Sequence, residues 1–247
     1  MRAALLLLVG STRLTDVVLA QAGDSTESRT RVTGALTVTN KGISLIPSFT
    51  LGRPAGIADI SIARGGLSFD PQFRYGLDGK PWSFIFWGRY KLLQHERLQL
   101  SVGAHPAVLF SKTPLSANPS PGTVLVARRY AAGELVPTYS LSRHASVGAY
   151  YLYSYGLDAG GTRNTHMLSL RSTLSSGKLS EPYVMRLTPQ VYYLKTDTRD
   201  GSYVNAAVTV GRRDFPMSVS GMVNRAMHTT IVGEAFLWNV SATWAIN

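Results

Sequence analysis

Twelve polar residues of this chain share one habit: Asp59, Asp70, Gln72, Arg74, Arg89, Lys91, His105, Arg128, Glu134, Arg171, Arg186 and Gln190 stand in runs where alternate positions are apolar. Six of them are basic and three acidic. Gathered around one enclosed space, such a set makes a cation-lined passage with a weak preference for anions. Crowded into a narrow space, the same groups pair with one another and fill it. Both outcomes stay open at this point, and both need elements that turn these side chains one way. Asp70 and Arg74 lie four apart, about 13 Å along an extended chain, so they meet only through a neighbouring strand.

Other chemistry is thin. His144-Ala145-Ser146 resembles the His-x-Ser pair that some outer-membrane phospholipases and lipid A deacylases carry on one strand. A base two residues from its hydroxyl activates it only when a third group orients the ring. Here the pair falls at a turn, so no catalytic residue is expected. Five histidines, His95, His105, His144, His166 and His228, show no metal-ligand spacing, and the chain has no cysteine. Neither a metal nor a cofactor is expected. Tyr150, Tyr151, Tyr153, Tyr155, Tyr192 and Tyr193 read as membrane-interface anchors before they read as a ligand cage.

The positioning elements are clearest between residues 66 and 110. Leu67, Phe69, Pro71, Phe73, Tyr75 and Leu77 alternate with Ser68, Asp70, Gln72 and Arg74. Next, Trp82, Phe84, Phe86, Gly88, Tyr90 and Leu92 oppose Ser83, Ile85, Trp87, Arg89 and Lys91. A third run sets Leu98, Leu100, Val102, Ala104, Pro106, Val108 and Phe110 against Gln99, Ser101, Gly103, His105 and Ser111. Successive side chains of a strand point to opposite faces, so each run is a two-faced strand. Only Asp78-Gly79-Lys80 and Gln94-His95-Glu96 separate them, which makes the strands antiparallel neighbours joined by hairpin turns. At about ten to fourteen residues they are roughly twice the usual length in a water-soluble protein. Long strands with one greasy face suit a closed transmembrane β-barrel with lipid outside. A soluble sandwich, whose greasy faces cover each other, is the alternative.

The whole chain agrees with one barrel. It has 247 residues, 45% hydrophobic, and a formal charge of +11. The basic residues are scattered and accompany no nucleic-acid motif, so nucleic acid is not an expected partner. Met1-Arg2 and the apolar residues 3–9, followed by Ala20-Gln21-Ala22, predict a signal peptide over residues 1–22. Removing Arg2, Arg13 and Asp16 leaves 23 basic residues against 13 acidic, or +10. Beyond that leader no apolar run nears the roughly 18 residues a spanning helix needs.

Residues 23–42 are expected to be a periplasmic lead-in, although 32–39 could itself form a strand. Residues 43–247 are expected to form the barrel, with residues 43–51 as its first strand. Strands are then predicted near 58–62, 67–77, 82–92, 98–110, 123–142, 145–156, 164–175, 183–195, 202–211, 216–224 and 235–246. That makes twelve, an even count that leaves both ends in the periplasm. Long loops at 112–122, 157–163, 196–201 and 225–233 then fall outside. The last segment sets Phe236, Trp238, Val240, Ala242, Trp244 and Ile246 against Asn239, Ser241 and Thr243. It resembles the closing strand that outer-membrane barrels present to the barrel-assembly machinery, although it ends in Asn247 where an aromatic is usual.

From residue 43 onward the chain resembles bacterial outer-membrane β-barrel proteins as a class. Leu67-Ser68-Phe69-Asp70-Pro71-Gln72-Phe73-Arg74, with Gly79-Lys80-Pro81-Trp82-Ser83-Phe84 and Arg89-Tyr90-Lys91, is similar to an exported bacterial family without an assigned activity. The resemblance implies an outer-membrane location and lipid as a partner. The polar set predicts a porin-like passive channel for small, preferably anionic solutes, lined by Asp59, Asp70, Arg74, Arg89, Lys91, His105, Arg128, Glu134, Arg171 and Arg186. Trp82, Tyr90, Tyr151, Tyr153, Phe236, Trp238 and Trp244 are the expected aromatic girdles. A non-conducting structural or docking barrel and a lipid-active enzyme are the other readings.

Overall fold

A computed structural model describes residues 29–114, 123–176 and 182–246. The expected leader lies outside these residues, as does most of the proline-rich loop after Pro114. Twelve strands run in order: β1 Arg31–Thr39, β2 Ala55–Arg64, β3 Leu67–Gly76, β4 Pro81–Gln94, β5 Leu98–Pro114 and β6 Thr123–Ser140, then β7 Ala145–Gly156, β8 Asn164–Ser175, β9 Tyr183–Thr196, β10 Arg199–Arg212, β11 Met217–Thr229 and β12 Phe236–Ile246. Every strand pairs antiparallel with its sequence neighbours, and β1 pairs with β12, so the sheet closes on itself. A closed sheet has no edge strand, so every strand finds backbone partners on both sides.

Alternation decides which face is which. Val32, Leu36, Ile62, Phe69, Leu168, Leu170, Val191, Trp238 and Val240 are exposed on the outside, while the polar residues between them turn in. Outside, Phe73, Phe84, Phe86 and Phe110 meet edge to face at 5.3–5.9 Å between ring centres. No second sheet covers these residues, which removes the sandwich alternative. Among the described residues no helix is long and apolar enough to cross a membrane.

The count of twelve stands, but the first strand is not the expected one. Residues 43–51 form no strand; Arg31–Thr39 takes that place, and it closes the cylinder through pairs such as Leu36 with Trp244. Residues 40–54 instead turn into the barrel, with a single 3-10 turn at Pro47–Phe49. The apolar spacing of Ile43, Leu45 and Phe49 suits a strand facing lipid and equally a segment filling a lumen. The neck of this inner segment is shut by Gly42 N–H to Arg53 O at 2.8 Å and Leu51 N–H to Gly42 O at 3.0 Å. Thr50 Oγ1 braces it internally, accepting from Ser44 N–H at 3.1 Å and donating to Ser44 O at 3.1 Å. With its own bonds satisfied, an Ω-shaped loop can sit away from bulk water.

β6 runs unbroken past Ala132-Gly133, and the expected loop at 225–233 shrinks to residues 230–235 because β11 reaches Thr229. One rim of the cylinder holds the start of β1 and the end of β12. The inner segment enters from the opposite, far rim.

Candidate functional site in the barrel lumen

The lumen holds most of the residues whose chemistry was singled out. Arg89 lies at its centre: Nη1 donates to Asp70 Oδ2 at 3.0 Å and Nε to Glu134 Oε1 at 2.6 Å. Three strands, β3, β4 and β6, are thereby tied across the interior. Asp70 also accepts from Ser68 Oγ at 2.9 Å and from Ser61 Oγ. The Arg89 guanidinium lies 4.2 Å from the Trp87 ring, whose other neighbour is His105 at 4.0 Å between ring centres. Arg74 donates to Gln72 Oε1 at 2.7 Å and stands 5.3 Å from the Trp82 ring, in the field of Asp59. Arg128 donates to Ser111 Oγ at 2.8 Å. Arg171 lies 5.8 Å from the Tyr150 ring. Arg186 turns inward opposite Thr209, and Lys91 is exposed near the terminal rim.

Two expectations about the aromatics are corrected. Trp82 is no girdle residue: it is 2% exposed and donates Nε1–H to Phe49 O at 2.8 Å inside the barrel. Arg74 pairs with Ser83 but Tyr75 with Pro81, so a β-bulge at Trp82 reverses its face. Tyr150 and Tyr192 are likewise interior, while Tyr151, Tyr153 and Tyr193 are exposed outside. Tyr90, Phe236, Trp238 and Trp244 face outward.

The inner segment, which alternation alone did not reveal, fills the middle of this space. Ile46 joins Trp87, Tyr150, Leu152, Met167, Tyr192 and Tyr203 in the main apolar cluster, and Ile231 reaches it from residues 230–235. Phe49 meets Tyr130 edge to face at 5.0 Å, and Tyr192 OH donates to Leu45 O at 3.2 Å. Gly42 passes so close to Trp82 that a β-carbon there would meet the ring at 3.0 Å. At the far rim Lys41 bonds Glu234 at 2.7 Å and Arg53 bonds Asp78.

The two sides of the segment differ. Toward β3–β7 a cavity of about 80 Å³ lies among Ser44, Ile46, Gln72, Arg74, Trp87 and His105. Toward β8–β12 a cavity of about 100 Å³ is lined by Arg171, Gln190, Asn205, Asn239, Ser241 and neighbours. The second side belongs to a polar wall running rim to rim on β10, β11, β12 and β1. It shows Asn205, Thr209, Ser218, Asn224, Asn239, Ser241, Thr243, Thr37 and Thr39 to the lumen, interspersed with Tyr203, Met222 and Leu237. Thr37 and Thr243 hydroxyls meet at 2.9 Å across the closing seam, and Asn239 Nδ2 donates to Thr39 Oγ1 at 3.2 Å.

Outside the lumen, His144 and Ser146 lie at the terminal rim, His144 exposed with its backbone N–H donating to Ser142 Oγ at 3.1 Å. Among the described residues no group of three or more potential metal ligands comes together.

No family model matches the chain, and no curated protein sequence does. Among solved structures it is similar to the KdgM porin, with a TM-score of 0.55 at 9% identity, covering 87% of this chain and 99% of that one. The NanC porin gives 0.50 at 10% identity, covering 87% and 98%. At such identity the likeness is one of fold: a closed barrel of the outer-membrane kind. With its greasy exterior and polar interior, the chain has the fold of an outer-membrane β-barrel.

Proposed function

We propose that this protein is a porin-like passive channel for small, preferably anionic solutes, held shut by residues 40–54. The polar wall on β10, β11, β12 and β1 carries the reading. Part of that wall bonds within the protein, as Thr37 does with Thr243, but Asn205 Nδ2 is buried there without a partner, a deficit that a wetted path answers. The segment leans on that wall through Ile43 and Leu45, and it narrows the space there to about 100 Å³. Withdrawing it toward the far rim, taken as the outer side because both ends of the barrel lie at the other, joins the two halves of the lumen. The preference for anions rests on the inward arginines Arg74, Arg89, Arg128, Arg171 and Arg186 against three carboxylates, Asp59, Asp70 and Glu134.

Planar-bilayer recording tests this. The full chain should give rare, small conductance steps. Replacing residues 43–51 by a Gly-Ser linker of equal length should give frequent, larger steps with an anion-favouring reversal potential. A linker variant that folds, judged by heat-modifiable gel mobility, yet passes no current removes the channel reading. The structural or docking barrel then takes its place. It draws support from Arg89, which bridges two carboxylates across the lumen, and from the aromatic cluster beside it.

A further inference from the structure

We infer that the cavity between the inner segment and strands β8–β12 is an anion-binding site, built on Arg171 and Asn205 and sized for a small monovalent anion. The inference rests on reading the lumen as a solute path, and it names what that path holds. Arg171 is 7% exposed and Asn205 8%. Arg171 Nη2 and Asn205 Nδ2 are buried donors with no hydrogen-bond partner in the protein. Both groups line the same cavity, together with Gln190, Thr188 and Asn239, and no carboxylate is among its lining residues.

A buried donor without an acceptor is destabilising, and more so when it is charged. An acceptor that also brings negative charge answers both deficits, whereas a cation answers neither. Glu134 is the carboxylate within electrostatic reach of Arg171, but it does not line the cavity, and Arg89 holds its Oε1 at 2.6 Å. The Tyr150 ring, 5.8 Å from the guanidinium carbon, keeps the Arg171 head in place. A space of about 100 Å³ takes a halide, nitrate or short carboxylate with a few waters, and it excludes a sugar.

The experiment is anomalous diffraction from crystals of the detergent-purified barrel soaked in bromide. A bromide peak within about 3.5 Å of both Arg171 Nη2 and Asn205 Nδ2 is expected in the native protein. It should vanish in Arg171→Met. In Asn205→Asp, which keeps the side-chain shape but adds a charge, the affinity should fall about tenfold or more. Should Arg171→Met fail to fold, Asn205→Asp carries the test alone. An empty native cavity, or a peak that survives either substitution undiminished, overturns the inference. Bromide bound in a barrel that passes no current keeps the site and removes the channel. Current through a barrel whose cavity stays empty does the reverse.

Discussion

Arg89 faces two carboxylates with one charge, and the geometry makes it the residue whose loss should be felt most. Asp70 and Glu134 are buried. Arg89→Met leaves both without their shared cation, a loss expected to destabilise the barrel by about 3–5 kcal/mol in urea unfolding from lipid vesicles. Adding Asp70→Asn and Glu134→Gln should restore most of that; a triple variant no more stable than the single one contradicts the account. At the far rim Asp158 offers a pH test. Hydrogen bonds from the Arg129 guanidinium, and then from its backbone N–H at 2.6 Å, hold the carboxyl at about 2. A carboxylate lowered by folding stabilises above its ordinary value of 3.8 and loses that contribution as pH falls toward about 2. Protection of the Arg129 and Leu157 amides, taken relative to the unstructured amide at the same pH, should therefore hold down to about pH 4 and fall below it. Asp158→Asn should lower that protection at every pH. Side-chain direction was largely legible in the sequence, because period two places Asp70, Arg74 and Arg89 on the face opposite Phe69, Phe73 and Tyr90. Trp82 was not, since a bulge shifts parity by one residue and leaves no composition behind it.

Among the elements, residues 40–54 set the state of the lumen. Ile46 is the residue of this segment that is buried within the main cluster, so Ile46→Ala should cost about 2–5 kcal/mol if the segment stays docked. Ile46→Asp should instead drive the segment out, raising conductance in the same bilayer assay while the barrel remains folded. Tyr192→Phe removes the bonds to Leu45 O and Asn224 Oδ1, and a smaller rise is expected. Unchanged conductance in all three variants would mean that the segment does not gate. Gly52, with φ of 76°, makes the return turn, and a β-branched residue there is strained. This element was misread from sequence for a physical reason. Ile43, Leu45 and Phe49 carry a strand's spacing, and nothing local says whether lipid or the protein's own interior will cover them. Pro47 was the one local hint, because proline is rare inside a strand and common at the start of a helical turn.

At the scale of the molecule, closure was legible and its seam was not. Long amphipathic strands and short hairpins imply a barrel of about twelve, but pairing between the two ends of the chain leaves no mark within either end. A chain beginning at residue 43 should fail to close and show no heat-modifiable folded band, whereas one beginning at residue 29 should fold. Folding of the residue-43 chain would show that β1 is dispensable. The seam itself has a further consequence. Gly34 lies opposite Ile246 and Thr39 opposite Ser241, so one edge of the first strand made stays open until the last strand arrives. Topologically the cylinder is a ring with an arbitrary cut. Joining the two ends and opening the chain at the short hairpin by Glu96 should therefore return the same object with a different beginning.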